Sequence, residues 1–303
     1  MKKYTKYLLL LFFLFILFQF IINSNLYIDC VQNSIILWKD RILPTIFPFL
    51  LLSEFLINYD FIKILNILFG KIFKKVLNIN DSIMYIFFMS LFSGFPSSAI
   101  YINDLYQKKQ ISYESANKAL IICHFSNPLF IIGYIGSIMD IKYAYYILII
   151  HYLSTFIIAF IFKEKNYDNN NIYFKPNSFG FVLKNGIKKG IDNCLLILGT
   201  IIFFNILNTT INQIELPLFI ENFFNIFLEL TNGIEYIINN YDLKYQCILI
   251  TMLLSFGGLC VHLQVVSILE ESKIKYQNYL FSRILQSLIS AILILLTFNL
   301  LFH

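Results

Sequence analysis

The stretch SLFSGFPSSAIYIND, residues 90–104, sets Gly94-Phe95-Pro96-Ser97-Ser98-Ala99 inside an apolar run of membrane length. Glycine frees the backbone and proline removes an amide donor, so the run reads as an interrupted helix. A second break lies in LLSFGGLCVHLQVVS, residues 253–267, where Gly257 and Gly258 interrupt another apolar segment. The offset that relates Gly94 to Gly257 also relates Ile111 to Ile274 and Tyr113 to Tyr276, which suggests two halves on a shared plan. Two readings of each break stand side by side. Small residues and proline serve close helix packing or a kink in membranes. Paired interrupted helices are also the sign of a transporter, in which uncapped backbone groups contact a solute inside a protein-lined cavity.

Composition decides the setting of these breaks. The chain has 303 residues, of which 58% are hydrophobic and 14% charged, and its mean hydropathy is +0.70. Such values belong to a polytopic membrane protein in contact with the lipid bilayer. Apolar runs from end to end read as a single transmembrane domain over 1–303. The 23 Lys and Arg against 18 Asp and Glu give a net charge of +5, a mild excess that suits membrane orientation and argues against nucleic acid as a partner. Five scattered cysteines support neither a disulfide framework nor a metal or redox motif. The chain contains no nucleophile elbow, HExxH or Walker A pattern, so it reads as a non-enzyme with no catalytic residues, no metal site and no cofactor.

Along the chain, Lys2, Lys3 and Lys6 precede the apolar run Leu8 to Ile22, which reads as a retained first helix with a cytoplasmic N-terminus. Cys30 to Arg41, which mixes Trp38, Lys39, Asp40 and Arg41 with apolar residues, reads as an interfacial segment before the run Ile42 to Leu56, with Pro44 near that run's start and Pro48 bending it. Glu54 is either a pore residue or a mark of the membrane exit. Phe61 to Ile79, with Lys63, Lys71, Lys74 and Lys75 among apolar residues, reads as an amphipathic helix on the cytoplasmic surface. HFSNPLFIIGYIG then groups His124, Ser126, Asn127, Pro128, Gly133 and Gly136 into a further interrupted region. Residues 163–178 read as the loop between a first half, 1–162, and a second half, 179–303. In the second half, Glu229-Leu230-Thr231-Asn232-Gly233 is a turn or a helix break that exposes polar groups, and Arg283 reads as snorkelling from the start of the last span. The fold expectation is all-α, with about eight transmembrane helices, paired interrupted or re-entrant segments and two halves arranged as inverted repeats. Five complete spans before Lys163 would put that basic loop outside, so one interrupted region is read as re-entrant.

At PTIFPFLLLSEFL, SGFPSSA, NPLFIIGYIG, ELTNG and FGGLCVHLQVVSIL the chain resembles the YlbJ-like (SpoVV-like) sporulation integral membrane proteins, of the broader nucleoside-recognition or Gate-domain group. The resemblance spans roughly Leu43 to Ser290. Pro44, Phe47, Pro48 and Glu54 match the early family segment, and Gly94, Pro96, Ser97 and Ala99 the first interruption. Asn127, Pro128 and Gly133 match the next motif, and Glu229, Asn232, Gly233, Gly257, Gly258, His262 and Gln264 the second half. Relatives look more like GYPSGAK at the first break, where this chain has Phe95, Ser98 and Ile100. The missing lysine shifts the expected solute contacts toward backbone amides and neighbouring polar groups.

The resemblance implies a multi-pass protein of the mother-cell-derived outer forespore membrane that moves dipicolinic acid toward the forespore, with sporulation membrane proteins as partners. A noncatalytic factor that organises the sporulation envelope is the alternative. The expected solute pathway is Glu54, Gly94, Pro96, Ser97, Asn127, Pro128, Glu229, Asn232, Gly257, Gly258, His262 and Gln264. In this reading helix N-terminal amides at the breaks receive solute carboxylates.

Overall fold

A computed structural model describes residues 3–59, 61–163, 177–270 and 272–302, and these are helical with no strand among them. Of the connecting loop only Lys163, Asn177 and Ser178 are among the described residues. The elements in chain order are α1 (Lys3–Ile22), α2 (Ser24–Leu37), a π-helical turn (Trp38–Ile42), α3 (Leu43–Asn58), α4 (Phe61–Leu77), α5 (Asp81–Ser93), α6 (Ser97–Gln107) and α7 (Tyr113–Ile122). A π-helical stretch (Phe130–Ile135) runs into the short α8 (Gly136–Ile138). Then come α9 (Ile141–Ile161), α10 (Phe179–Ile211), α11 (Leu218–Phe227), α12 (Leu230–Asn240), α13 (Leu243–Phe256), α14 (Gly258–Leu269) and α15 (Tyr276–Leu301).

Capping chemistry fixes where several helices start. The Asn80 side chain accepts the Ile83 amide at 2.8 Å to open α5, and Ser112 accepts the Ser115 amide at 3.2 Å to open α7. Asp140 accepts the Lys142 amide at the exposed start of α9, and that bond holds its carboxyl below the ordinary carboxylate range. Of the expected interfacial segment Cys30 to Arg41, the residues to Leu37 lie in α2, and Trp38 to Arg41 lie in the π-helical turn that joins α2 to α3 without a break. Trp38 Nε1 donates to the Cys194 carbonyl at 2.9 Å, so this turn is held against α10.

The rod made by α2 and α3 lies antiparallel to α10. Tyr27 meets Thr210 at 2.9 Å near one end, and Asn58 meets Asn177 at 2.9 Å near the other. Gly186 and Gly190 allow the close approach, because a Cβ at either would come within 2.9 Å of Leu51 or Phe47. Ile42, Ile46, Leu50, Cys194, Ile197 and Ile201 form the buried seam between α3 and α10.

Polar contacts sort the helix ends into two groups. One group gathers Lys74 with Asp81 at 3.1 Å, Lys118 with the Asn78 carbonyl at 2.9 Å, Lys163 with the Lys75 carbonyl at 3.0 Å, and Lys189 with Asp104 at 2.8 Å. The other gathers Arg41 with Ser137 at 3.4 Å, Asn212 with Asn225 at 3.1 Å and Lys244 with Asn299 at 3.1 Å. The first end is the lysine-rich one, the bias that the positive-inside tendency associates with a cytoplasmic face.

Tracing the chain between these ends shows two kinds of interruption. α5 and α6 enter from the basic end and return to it, while α11 and α12 enter from the opposite end and return there, with Tyr236 bonded to Asn222 across the pair. Each arm has 10 to 13 residues, about 15–20 Å of helix, enough to reach the middle of a hydrocarbon layer about 30 Å thick. These are re-entrant hairpins of opposite sense. Each is followed by a broken crossing: α7 to α8, unwound at 123–127, and α13 to α14, kinked at Gly257.

Among the described residues, five helices or continuous helix pairs are long and apolar enough to cross a membrane alone. The α2–α3 rod and the α7–α8 composite also run from one end of the described bundle to the other, and the hairpins account for further apolar runs. The α13–α14 crossing is 72% buried and α1 only 6%, so the former is the axis of the bundle and the latter faces lipid. The last span buries Arg283 completely, which corrects the expectation that it snorkels: its neighbours Tyr279, Ser282 and Gln286 are equally enclosed.

The trace predicts opposite accessibility for its two ends. In a cysteine-free background, Asn239→Cys should react with a membrane-impermeant maleimide on intact cells, and Lys109→Cys only after permeabilisation. The inverse pattern would overturn the assigned orientation, and equal labelling would overturn the trace.

Candidate functional site

All four interruptions meet at one place in the interior. Gly94 has φ +73, and a Cβ there would lie 2.7 Å from the Asn127 nitrogen and 2.9 Å from the Asn127 Cβ. The tip of the first hairpin thus rests on the unwound part of the first broken crossing. Phe95 N–H donates to the Phe125 carbonyl at 2.8 Å, and the Phe95 ring stacks on His124 with centroids 4.8 Å apart. Gly257, with φ +102, brings the second broken crossing within 3.3 Å of His124 Nε2 as measured from its would-be Cβ. Cys260 N–H donates to the Leu228 carbonyl at 3.0 Å and so ties the second hairpin tip to α14.

Between these breaks and the α3–α10 wall lies a cavity of about 50 Å³. Ile42, Ile46, Ile197 and Ile201 line it from the wall, and Phe95, Ser126, Asn127, Glu229, Thr231 and Gln264 from the breaks. Most of this lining is apolar. Ser126 Oγ is buried without a hydrogen-bond partner among the described residues, so it is a free polar group on the cavity wall. Asn127 donates to the Thr45 carbonyl of α3 at 3.1 Å and accepts the Leu129 amide at 2.7 Å, where the helix resumes at Pro128. Proline fits that first helical position because it lacks the amide that would need a partner there. Gln264 donates to Thr200 of α10 at 2.6 Å.

Glu229 closes the second hairpin. It is 2% exposed, and its Oε2 accepts the backbone amides of Thr231 and Asn232, each at 2.9 Å, together with the Thr231 hydroxyl. Helix N-terminal amides attract carboxylates because their donors lack intrahelical partners and the dipole is positive there. At α12 that position is filled by the protein's own carboxylate, so the expectation of free amides at the breaks fails at this one. In α6 the Ser97 and Ala99 amides are likewise engaged, by the Gly94 and Pro96 carbonyls at 3.1 and 2.9 Å.

A second, larger space of about 710 Å³ opens at the end opposite the lysines. Asp29, Asn33, Asp40, Arg41, Thr209 and Glu235 line this vestibule. Asn232 links it to the cavity: its amide is held by Glu229, and its side chain donates to Asn205 at 2.8 Å, which donates to Ser34 at 2.8 Å. Toward the basic end, Lys189 bridges Asp104 at 2.8 Å and Glu54 at 3.3 Å. Asp104 lies in α6, so this bridge ties the first hairpin to α3 and α10.

Of the residues expected on a solute pathway, Asn127, Glu229 and Gln264 line the cavity and Asn232 lines the vestibule. Gly94, Pro96, Gly257 and Gly258 shape the backbone around the cavity. Ser97 is buried at the start of α6 and Glu54 sits in the Lys189 bridge, both outside the cavity lining. His262 is tied up elsewhere: its Nε2 bonds the Phe256 carbonyl at 3.0 Å and its Nδ1 the Tyr276 hydroxyl at 2.7 Å. A carbonyl only accepts, so Nε2 carries the proton and the ring satisfies a carbonyl released by the Gly257 break.

Thr45, Thr200 and Gln286 also belong to this region, although no motif in the sequence marks them, and so does His151. His151 Nε2 accepts the Ser126 amide at 3.0 Å and so holds the unwound segment, and Gln286 donates to Thr155 at 2.8 Å. Arg283 lies beside them with no carboxylate partner among the described residues, and bonds Gln286, the Ile121 carbonyl and Ser282.

Sporulation integral membrane protein YlbJ of Bacillus subtilis (strain 168) is 22% identical to this chain, over 98% of the chain and 83% of the relative. No family model matches the chain. No solved structure matches it.

The contact at Gly94 predicts a sharp contrast between two glycines. Gly94→Ala should destabilise the purified protein by about 2 kcal/mol or more, because it combines a positive φ with a backbone clash. Gly133→Ala, where a Cβ meets nothing within 4 Å, should change stability by less than about 0.5 kcal/mol. Thermal melting in detergent reads both.

Proposed function

From the premise that this chain is YlbJ-like over almost its whole length, we propose that it moves a small polar or anionic solute through the membrane in which it serves sporulation. The convergence of two opposed hairpins and two broken crossings on one cavity carries this reading. Unwound backbone at membrane depth is tolerated where it is buried in protein or lines a cavity, and opposed repeats allow that cavity to face either side in turn. Dipicolinic acid is the substrate we assign, with movement across the outer forespore membrane toward the forespore.

The geometry supports a closed arrangement of such a protein. A cavity of about 50 Å³ holds a few waters, which need roughly 10–15 Å³ each, and not an aromatic dicarboxylate. Loading therefore requires the α3–α10 wall to separate from the breaks. In this reading access is from the vestibule, with the bridge of Lys189 to Asp104 and Glu54 as the closure on the opposite side. Glu229 and the solute carboxylate compete for the same two amides. Two carboxylates cannot share them as anions, so entry requires Glu229 to swing out or to take up a proton. Ser126 offers a donor to the solute, and Gln264 becomes available once it leaves Thr200.

Reconstitution in sealed vesicles tests this. Labelled dipicolinate should accumulate in a protein-dependent manner, with other aromatic dicarboxylates competing better than nucleosides. Ser126→Ala should weaken apparent affinity by about 2- to 10-fold, the value of one hydrogen bond, with melting unchanged, and Gln264→Ala should weaken it by a similar factor while also lowering the melting temperature, because its bond to Thr200 is lost. Glu229→Gln keeps an acceptor for the α12 amides, so it should retain solute exchange while losing acceleration by an imposed pH gradient. Absence of protein-dependent flux from folded, inserted protein would refute autonomous transport and leave the envelope-organising role.

A further inference from the structure

The helix α4 offers a site of a different kind. It meets α5 at 105° and therefore runs across the basic end of the bundle. Its inner face is anchored: Leu65, Phe73 and Leu77 are buried, and the Phe73 ring lies 5.5 Å from Phe87 and 5.2 Å from Phe88. Its outer face carries Ile64, Leu68, Ile72 and Val76, all exposed. This face covers no other part of the described chain.

Between the two faces runs a third stripe, Lys63, Asn66, Ile67, Gly70, Lys71 and Lys74, which lines an open recess. The spacing of three and four residues puts these side chains on one side of the helix. Gly70 forms the floor, because a Cβ there would come 2.0 Å from Asn66 Oδ1 and fill the notch. Asp81 is the carboxylate at the rim; it bridges Lys74 at 3.1 Å and accepts from Asn66 at 2.7 Å. Lys71 and Lys74 against Asp81 leave the recess positive among the described residues. Ile67, 83% exposed, connects it to the outer apolar face.

We propose that this recess binds the headgroup of an anionic glycerophospholipid from the leaflet at the basic end. The phosphate sits between Lys71 and Lys74 above Gly70, and the acyl chains run over Ile67, Leu68 and Ile72. A soluble phosphate would use the lysines alone and leave the adjoining apolar face in contact with water. A lipid satisfies both, since an interfacial helix sinks its apolar side about 5–10 Å into the headgroup and acyl boundary. Each lysine near an anionic leaflet contributes about 1 kcal/mol, or roughly fivefold in binding.

Native mass spectrometry of the full chain, with phosphatidylglycerol and phosphatidylcholine of identical acyl chains, tests the assignment. The wild-type chain should retain phosphatidylglycerol preferentially, with one tightly held molecule per chain. Retention should fall roughly fivefold in Lys71→Gln and again in Lys71→Gln/Lys74→Gln, while Lys71→Arg keeps it. Ile67→Glu leaves every lysine in place and should also lose the lipid, which keeps the test valid if the double variant fails to fold. Equal retention of the two lipids, or unchanged retention in Ile67→Glu and the lysine variants, overturns the proposal. Displacement by glycerol 3-phosphate at equal concentration also overturns it, in favour of a soluble phosphate site.

Discussion

A helix interrupted at membrane depth releases backbone donors and acceptors into a region without water to receive them, and each one left bare costs several kcal/mol. Here the breaks supply one another. The Phe95 amide uses the Phe125 carbonyl, the Cys260 amide uses the Leu228 carbonyl, and His262 and His151 serve the Phe256 carbonyl and the Ser126 amide. Arg283 serves the Ile121 carbonyl in the last turn of α7, where the negative end of the half-helix favours a cation. Its remaining donors go to Gln286 and Ser282, and the Tyr279 ring lies 5.4 Å from the guanidinium. Shifting any one break would strand groups in the others, so the four hold position as a unit.

That mutual dependence explains what could be read from the sequence. Gly94 and Gly257 were legible because positive φ and close approach leave few alternatives to glycine. Their pairing was only partly legible: both reach the same centre, but Gly94 is at a hairpin tip and Gly257 at the kink of a crossing. The counterpart of the Gly94 tip is Leu228-Glu229, which contains neither glycine nor proline. It is closed by a carboxylate on two amides, a contact that local composition does not announce. A re-entrant segment was expected from the basic character of Lys163, and the structure contains two.

Arg283 was misread for a different reason. Position near a helix start suggests snorkelling, yet Tyr279, Ser282, Arg283, Gln286 and Ser290 recur at helical spacing and are all buried. A polar stripe of that period in a span marks the face turned to the protein, and that signal was present in the sequence. His262 and Glu54 illustrate the reverse. Their residue types suit a solute contact, but one is consumed by a released carbonyl and the other by Lys189, and only tertiary geometry decides such a contest.

The bonds between the breaks and the α3–α10 wall differ in kind from those among the breaks. Across the wall the polar contacts all use side chains: Asn127 to Thr45, Gln264 to Thr200, Asn232 to Asn205, and Lys189 to Asp104. Side-chain donors can exchange partners by rotation, whereas the backbone bonds that join the breaks cannot be exchanged without refolding the unwound segments. At about 0.5–1.5 kcal/mol for each neutral bond, separating the wall costs a few kcal/mol plus the apolar contact between α10 and the broken crossings. Under the proposed transport function, a solute that brought its own acceptors to Asn127 and Gln264 would offset part of that cost, and an apolar ring would offset more by covering Ile46, Ile197 and Phe95. The surface at which the molecule comes apart most readily is thus the one that bounds the cavity.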